Sequence, residues 1–262
     1  MNRTIGIITA LERELHPLVE AGGWARTNLV SSRSLTCYEL GRRVVVAGGI
    51  GSKQAEAATR AVVEKYHPQI LISAGLAGAL IPSLKVGSIV TPNVIVDAST
   101  GAEYRCRTST TETLRHGENG ANRTGEGACA TPPCRLVSAS EVAGPQSKAD
   151  LAERFHALAV DMEAAGVARV AHECNAGFLC VKAISDEFDF AMPPLNSFVD
   201  GEGNFKTGSF AAWTALRPRH WSKVLDLSRN SARALRVLAA WLAQNTSGSL
   251  DAGAVVTLEH VP

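Results

Sequence analysis

The sequence predicts an α/β fold, a single domain with a mixed, twisted central β-sheet flanked by helices. Short apolar runs typical of buried strands alternate with segments in which small and apolar residues recur at helical spacing, as in 162–174. A turn at Gly41 joins two neighbouring predicted strands into a hairpin, which makes the sheet mixed rather than wholly parallel. The 262 residues, 45% of them hydrophobic, suit one large domain. We expect this domain to span 1–245 and to be followed by a loose tail, 246–262.

The individual elements follow from the same patterns. Strands are predicted near 4–9, 35–40, 43–48, 69–74, 88–96, 135–138 and 177–183, and helices near 10–21, 52–66, 147–156, 162–174 and 218–244. Two long segments, 99–133 and 191–217, lack periodicity. For the first, a lid, an oligomer contact and disorder stay open, whereas the second could cover a site near Asp186. The last helix carries an apolar stripe that we expect to pack in the core: Trp221, Leu225, Ala232, Leu235, Leu238 and Trp241.

Composition and charge exclude several classes of protein. The net charge of +1 gives no basic surface for nucleic acid. No apolar run reaches the length of about eighteen residues that a membrane span needs, and the N-terminus lacks a secretory pattern, so we expect a cytoplasmic protein. The six cysteines include no CxxC pair. Cys129, Cys134 and His116 have the wrong spacing for zinc, so we predict reduced thiols, a core position for Cys180, and neither a metal nor an organic cofactor.

Two acids, Glu163 and Asp186, bracket a helix-then-strand unit and point to a site. Glu163 opens an apolar helix, and Asp186 ends the segment that follows the apolar run 178–181. Ligand sites in open α/β sheets gather at the C-terminal ends of the strands. Each acid also has a purely structural alternative. Asp186 could cap the next turn, and Glu163, like Asp161, could be a favourable acid in the first turn of a helix.

The motifs Asp161–Ala165 and Ala183–Asp186, in this order and at this separation, resemble the purine nucleoside phosphorylase and methylthioadenosine/S-adenosylhomocysteine nucleosidase superfamily. The resemblance implies a three-layer fold and cleavage of an N-glycosidic bond. It implies that Met162 and Glu163 hold the ribose while Asp186 protonates the purine at N7. In the nucleosidase branch a glutamate after the first strand activates the attacking water, and the matching position here is Glu14.

The resemblance implies further contacts and shows several departures. Substrate contacts fall on Gly75, Leu76, Ala77, Val142, Ala143 and Ser185, and the nucleophile pocket includes Gly51 and Lys182. The nucleosidase branch usually has serine where Leu76 stands and arginine where Lys182 stands, so a hydrogen bond and a planar donor fork are lost. The segment 138–143, which matches the family's base-recognition segment, lacks the aspartate and the stacking phenylalanine that the family usually has there. Glu141 in this segment either reads a base edge or is a surface acid.

The residues after the first strand favour water over phosphate as the nucleophile. Hexameric phosphorylases carry a Gly-Asp-Pro-x-Arg loop there, whereas this chain reads Thr9–Glu14 with acids. A negative Glu14 would repel a phosphate dianion, which needs Arg, Lys and backbone donors. A phosphate-dependent nucleoside phosphorylase stays as an alternative, and so does a catalytically silent nucleoside-binding protein on the same fold.

The nucleoside is left open by the sequence. The long loops suggest a substrate larger than or different from methylthioadenosine. Gly75–Gly78 and Met192–Pro194 are similar to the branch that cleaves adenosylhopane, a lipid-linked nucleoside. By resemblance we expect a homo-oligomer, with a dimer favoured, that takes a small-molecule nucleoside with water or phosphate as co-substrate.

Overall fold

A computed structural model describes residues 4–20, 22–30, 34–106, 134–201 and 203–246. The strands are β1 (Ile5–Thr9), β2 (Ala25–Val30), β3 (Ser34–Leu40), β4 (Arg43–Ala47), β5 (Ile70–Ala79), β6 (Ile89–Val90), β7 (Val94–Asp97), β8 (Glu103–Arg105), β9 (Arg135–Ser138), β10 (Ala159–Asp161) and β11 (Gly177–Asp186). The α-helices are α1 (Glu12–Val19), α2 (Ser52–Tyr66), α3 (Pro145–Phe155), α4 (Ala164–Glu173), α5 (Thr207–Ala215) and α6 (Trp221–Thr246), with 3₁₀ turns at Leu195–Phe198 and Pro218–His220.

The described sheet is mixed, as predicted, and is organised around β5. This strand pairs in parallel with β1 on one side and with β11 on the other. The hairpin β3–β4 and its neighbour β2 are antiparallel and extend the β1 side. Beyond the reach of β1, the last residues of β5, Gly78 and Ala79, pair with β10 in the antiparallel sense, and β10 leads on to β9, β7 and β8. Since the two strands run in opposite directions, the C-terminal end of β10 lies beside the second half of β5, close to where β11 ends at Asp186.

Helices cover both faces of this sheet, which confirms the three-layer arrangement. On one face α2 packs against α4, and on the other α1 packs against α6. Strand β1 shows why: Ile8 faces the α2–α4 side, whereas Ile5 and Ile7 face the α1–α6 side, because side chains of a strand alternate. The contact between α2 and α4 is very close. A Cβ atom on Gly166 would lie 2.1 Å from the Ser52 carbonyl oxygen, so only glycine fits there.

Several elements differ from the sequence prediction. The strands β2, β8 and β10 were not predicted, and 191–217 is not wholly irregular because it contains α5. The predicted core stripe is wrong at Trp221 and Leu225, which are 48% and 53% exposed, and at Ala232, which is also exposed, whereas Leu235 and Leu238 are buried. Most of the predicted loop 99–133, from residue 107 on, lies outside the described residues, as does the predicted tail from residue 247 on. No helix within the described ranges is long and apolar enough to cross a membrane.

Candidate active site

A cavity of about 660 Å³ is lined by residues that follow β1, by the second half of β5 and by the C-terminal ends of β10 and β11. Glu14, Glu163 and Asp186 all line it, so the structure brings together the three acids that the sequence singled out. Of the other predicted contacts, the cavity is lined by Leu76, Ala77, Val142, Ala143, Met162 and Ser185, and also by Glu141. Gly51, Gly75 and Lys182 are not part of the lining, but Gly51 donates to Glu163, Gly75 lies against Glu14, and Lys182 pairs with Asp161.

Glu14 lies in the first turn of α1 and points into the protein rather than into solvent. Its Oε2 accepts a hydrogen bond from the Ala10 backbone N–H at 3.1 Å. Burial raises the pKa of Glu14, although the nearby Lys182 ammonium opposes this. Gly75, at φ +153°, makes room for the carboxylate, because a Cβ there would lie 3.1 Å from Glu14 Oε2. Glu14 is only 8% exposed and is therefore unlike the solvated acids of most helix surfaces.

The structure separates the roles of Glu163 and Asp161. Asp161 accepts hydrogen bonds from the Ala164 N–H at 2.8 Å and from Ser138 Oγ at 2.6 Å, so it is the acid that holds the start of α4. Glu163 instead reaches across to the glycine-rich turn after β4. Its Oε1 accepts from the Gly51 N–H at 3.0 Å, which gives Gly51 a positioning contact. Burial raises the pKa of Glu163 to about 7, against the opposing effect of Lys182.

Lys182 is a fully buried cation between these acids. Its Nζ lies 2.7 Å from Asp161 Oδ2, and only 1% of its side chain is exposed. Burial disfavours its charge, but the negative groups around it, Asp161 first among them, raise the pKa of Lys182 above its ordinary value. The ammonium therefore pairs directly with Asp161 and acts on Glu14 and Glu163 only by electrostatic attraction over a longer distance.

Asp186 is held by donors on both carboxylate oxygens. Ser185 Oγ donates to Oδ1 at 2.7 Å. Lys148 Nζ forms a buried ion pair with Oδ2 and also donates to the Glu187 carbonyl oxygen at 2.6 Å. The direct charged partner of Asp186 is therefore a lysine and not one of the other acids of the site.

Lys148 is thus a site residue that the sequence reasoning missed. It is one of the two largest buried charged side chains, at 0% exposure, although it lies on a short helix. A signal was present, because Lys148 shares the inward face of α3 with Leu151, Ala152 and Phe155 at helical spacing. A charge on the apolar face of a helix needs a buried partner.

The other half of the cavity is formed by the segment 191–217 and by α6, and its lining is mostly apolar, with Thr207, Ser228, Ser231 and Arg236 as polar members. We call the apolar part the apolar wall, and its residues are Met192, Leu195, Val199, Phe205, Phe210, Val224 and Leu227. Ring contacts between Phe205 and Phe210, with centroids 5.4 Å apart, fix part of it. The segment is tied to the glycine-rich turn by the Ile50 N–H, which donates to the Gly203 oxygen at 2.8 Å. The expectation that 191–217 covers the site is therefore met by its position.

The described residues include no group of three or more His, Cys, Asp or Glu side chains arranged to hold a metal ion. Cys180 is buried in β11, as predicted, and burial raises the pKa of its thiol well above the ordinary value. Cys129 and His116 lie outside the described residues.

Comparisons with known proteins agree with this geometry. A 5′-methylthioadenosine/S-adenosylhomocysteine nucleosidase of Staphylococcus haemolyticus is 30% identical over 203 residues, covering 70% of this chain and 86% of the relative. The nucleosidase of the same name from Shewanella pealeana is 25% identical over 214 residues, covering 72% and 88%. The prediction that the chain is an enzyme of the nucleosidase kind is confirmed by these relatives.

Solved structures share the fold at lower identity. Futalosine hydrolase of Helicobacter pylori superposes with a TM-score of 0.64 at 17% identity, covering 94% of this chain and 98% of that one. The nucleosidase of Neisseria meningitidis in complex with methylthio-immucillin-A gives a TM-score of 0.64 at 18% identity, with coverage of 93% and 98%. The profile of the phosphorylase superfamily matches residues 4–205. The chain therefore belongs to the phosphorylase superfamily.

Proposed function

We propose that this chain hydrolyses the N-glycosidic bond of a purine nucleoside that carries an apolar 5′ substituent. The observation behind the proposal is the convergence of Glu14, Glu163 and Asp186 on one cavity whose other half contains the apolar wall. Bond cleavage needs a ligand for the sugar, a base for water and a proton for the leaving purine. Glu163 takes the first role, Glu14 the second, and Asp186 delivers the proton to N7.

Glu163 suits the ribose because a carboxylate can accept hydrogen bonds from two sugar hydroxyls at once. The bond from the Gly51 N–H fixes its orientation, and Met162 lies beside it on the cavity surface. As the bond to the purine breaks, the sugar becomes cation-like. Negative charge already placed there stabilises that state more than the neutral substrate.

The charges around Glu14 favour water as the nucleophile. A phosphate dianion entering this end of the cavity would meet the carboxyls of Glu14 and Glu163. The buried cation nearest to them, Lys182, already pairs with Asp161 at 2.7 Å. Burial raises the pKa of Glu14, which makes it a stronger base for taking a proton from water near neutral pH.

The apolar wall favours an apolar group at the 5′ position. With the ribose at Glu163 and the base at Asp186, this wall is the surface left for the rest of the ligand. It continues along α6 through Val224 and Leu227, and the cavity volume lies within the roughly 300–1,000 Å³ of whole-ligand pockets. Two of the relatives named above are nucleosidases of 5′-methylthioadenosine, whose 5′ methylthio group is apolar, and the Neisseria meningitidis enzyme is bound to methylthio-immucillin-A. A longer, lipid-linked substituent would be placed against the same surface.

A substrate panel tests the proposal. The purified protein is incubated with adenosine, inosine, 5′-methylthioadenosine, S-adenosylhomocysteine, futalosine and a 5′-alkylthioadenosine with a long chain, with and without phosphate. We expect release of free purine at a rate that phosphate does not change, with preference for the apolar 5′ groups. Phosphate-dependent formation of a ribose 1-phosphate would show a phosphorylase instead. Binding without any purine release, in wild type and in Asp186→Asn alike, would show a silent binding protein.

The homodimer and the cytoplasmic location predicted from the sequence stay part of this proposal. Light scattering coupled to size-exclusion chromatography measures the first, and a monomeric mass would contradict it.

A further inference from the structure

The buried ion pair of Lys148 and Asp186 indicates which group first holds the proton that the leaving purine receives. Ser185 donates to one carboxylate oxygen of Asp186 and Lys148 to the other. A carboxylate whose two oxygens both accept hydrogen bonds in an ion pair has no proton of its own to give. Among the residues that the structure describes, the side-chain hydrogens in direct contact with Asp186 are those on Lys148 Nζ and Ser185 Oγ.

The surrounding chain is shaped around this pair. A Cβ atom on Gly78 of β5 would lie 2.8 Å from Asp186 Oδ2 and 3.2 Å from Lys148 Cε, so the glycine leaves the space that the pair occupies. The other acid nearby, Glu187, turns its carboxylate to the exposed Lys85 at 3.0 Å. Asp186 is therefore the carboxylate that balances Lys148. Within the described residues, two acceptors engage the Nζ, and Lys148 also forms part of the cavity surface.

We propose that Lys148 is the source of the proton that the leaving purine receives, and that Asp186 passes it on; this rests on the hydrolysis proposed above. An N–H bond of Lys148 breaks as an O–H bond forms on Asp186. That O–H bond breaks as N7–H forms, and the electron pair of the C1′–N9 bond moves into the purine.

The remaining protons balance through Glu14 and solvent. Water adds to C1′ and gives its proton to Glu14. Lys148 is left neutral, takes a proton from solvent after the purine departs, and Glu14 releases one. The net reaction is nucleoside plus water giving ribose plus purine, and it needs no further reactant.

The test compares two substitutions on two kinds of leaving group. Lys148→Arg keeps the positive charge but, unlike lysine, does not release a proton in proteins, and Lys148→Met removes both. With a purine nucleoside from the panel, turnover should fall about 100-fold or more in both variants, since general acid catalysis contributes about that much. With 4-nitrophenyl riboside, whose nitrophenolate leaves without a proton, both variants should keep turnover close to that of the wild type.

The pH profile gives a second readout that a merely structural role would not change. Turnover of Lys148→Met on the purine nucleoside should rise as the pH falls, because Asp186 must then take its proton from bulk water. Lys85→Met is the matched control, since this exposed lysine pairs with Glu187 next to Asp186 and should keep both activities. Thermal unfolding of each variant checks that the protein is folded at the assay temperature, because Lys148→Met leaves Asp186 as an unpaired buried charge and should lower Tm.

Two results would overturn the inference. One is that Lys148→Arg turns over the purine nucleoside at the same rate as the wild type, which would show that Lys148 only positions Asp186 by its charge. The other is an equal loss on both leaving groups with an unchanged pH profile. A wild-type protein that releases purine from no nucleoside would refute the proposed hydrolysis itself, so the two failures are distinguishable.

Discussion

Ionised Glu163 should destabilise the folded protein at the pH at which we propose that it binds the ribose, and Glu163→Gln should therefore stabilise the protein. Burial raises the pKa of Glu163 from its ordinary value of 4.5 to about 7. Because one pKa unit corresponds to about 1.4 kcal/mol, ionising this carboxyl in the folded state costs about 3 kcal/mol. The folded-state pKa is the higher one, so the cost is absent below about pH 4.5, develops between about 4.5 and 7, and is complete above that.

Urea unfolding at pH 5 and pH 8 measures this directly. We expect the free energy of unfolding of Glu163→Gln to exceed that of the wild type by about 2–3 kcal/mol at pH 8 and to differ by less than about 1 kcal/mol at pH 5. The gain at pH 8 corresponds to roughly 5–10 °C in Tm for a chain of this size. Glu153→Gln is the control, because this exposed acid on α3 should show no such pH dependence.

The same variant should lose activity, because glutamine cannot accept hydrogen bonds from two ribose hydroxyls with both terminal atoms. Wild-type kcat/KM should rise as the pH passes through about 7, in the direction opposite to stability. A variant that is less stable than the wild type at pH 8, or whose stability difference is the same at both pH values, would refute the reasoning.

Three further variants test other contacts of the site and fold. Glu14→Gln should lower kcat by about 100-fold or more while nucleoside affinity, measured calorimetrically, changes little; unchanged kcat would exclude Glu14 as the base. Lys182→Met should destabilise the protein by about 3–5 kcal/mol in urea unfolding, because Asp161 is left as an unpaired buried charge, and adding Asp161→Asn should restore much of the loss. Gly166→Ala should cost more than about 2 kcal/mol because its Cβ has no room, whereas Gly144→Ala, with open space around it, should be neutral.

The sequence predicted the acids of the site because each follows a local pattern. Asp186 ends a buried strand and Glu163 opens an apolar helix, and strand ends of an α/β sheet converge. Glu14 was predicted through the family motif rather than through periodicity, since an acid in the first turn of a helix is ordinary. Its burial depends on Gly75 of β5, which no local pattern around Glu14 reveals.

What the sequence did not predict depends on contacts between distant segments. Lys148 and Asp186 are separated by 38 residues, and the bond from Gly51 to Glu163 spans 112. The short strand β10 has three residues, too few for a periodic pattern to emerge. Phe205 and Phe210 form the apolar wall only because the segment 191–217 docks on the glycine-rich turn, so their spacing along the chain carries no signal.

The buried charges of the site explain why it would favour a cationic sugar over a neutral one. Four acids, Glu14, Asp161, Glu163 and Asp186, are buried there with two lysines, Lys148 and Lys182. Each lysine forms a direct ion pair with one acid, Lys148 with Asp186 and Lys182 with Asp161. Glu14 and Glu163 are the two acids without a direct ion pair to a buried lysine, and burial raises the pKa of both.

A neutral nucleoside does not compensate the excess negative charge of Glu14 and Glu163. The sugar cation that forms as the bond breaks would bring positive charge to these two acids. The interaction is then stronger in the transition state than with bound substrate, which is the condition for raising kcat rather than only lowering KM. The same excess of negative charge explains why removing the charge of Glu163 should both stabilise the protein and abolish its activity.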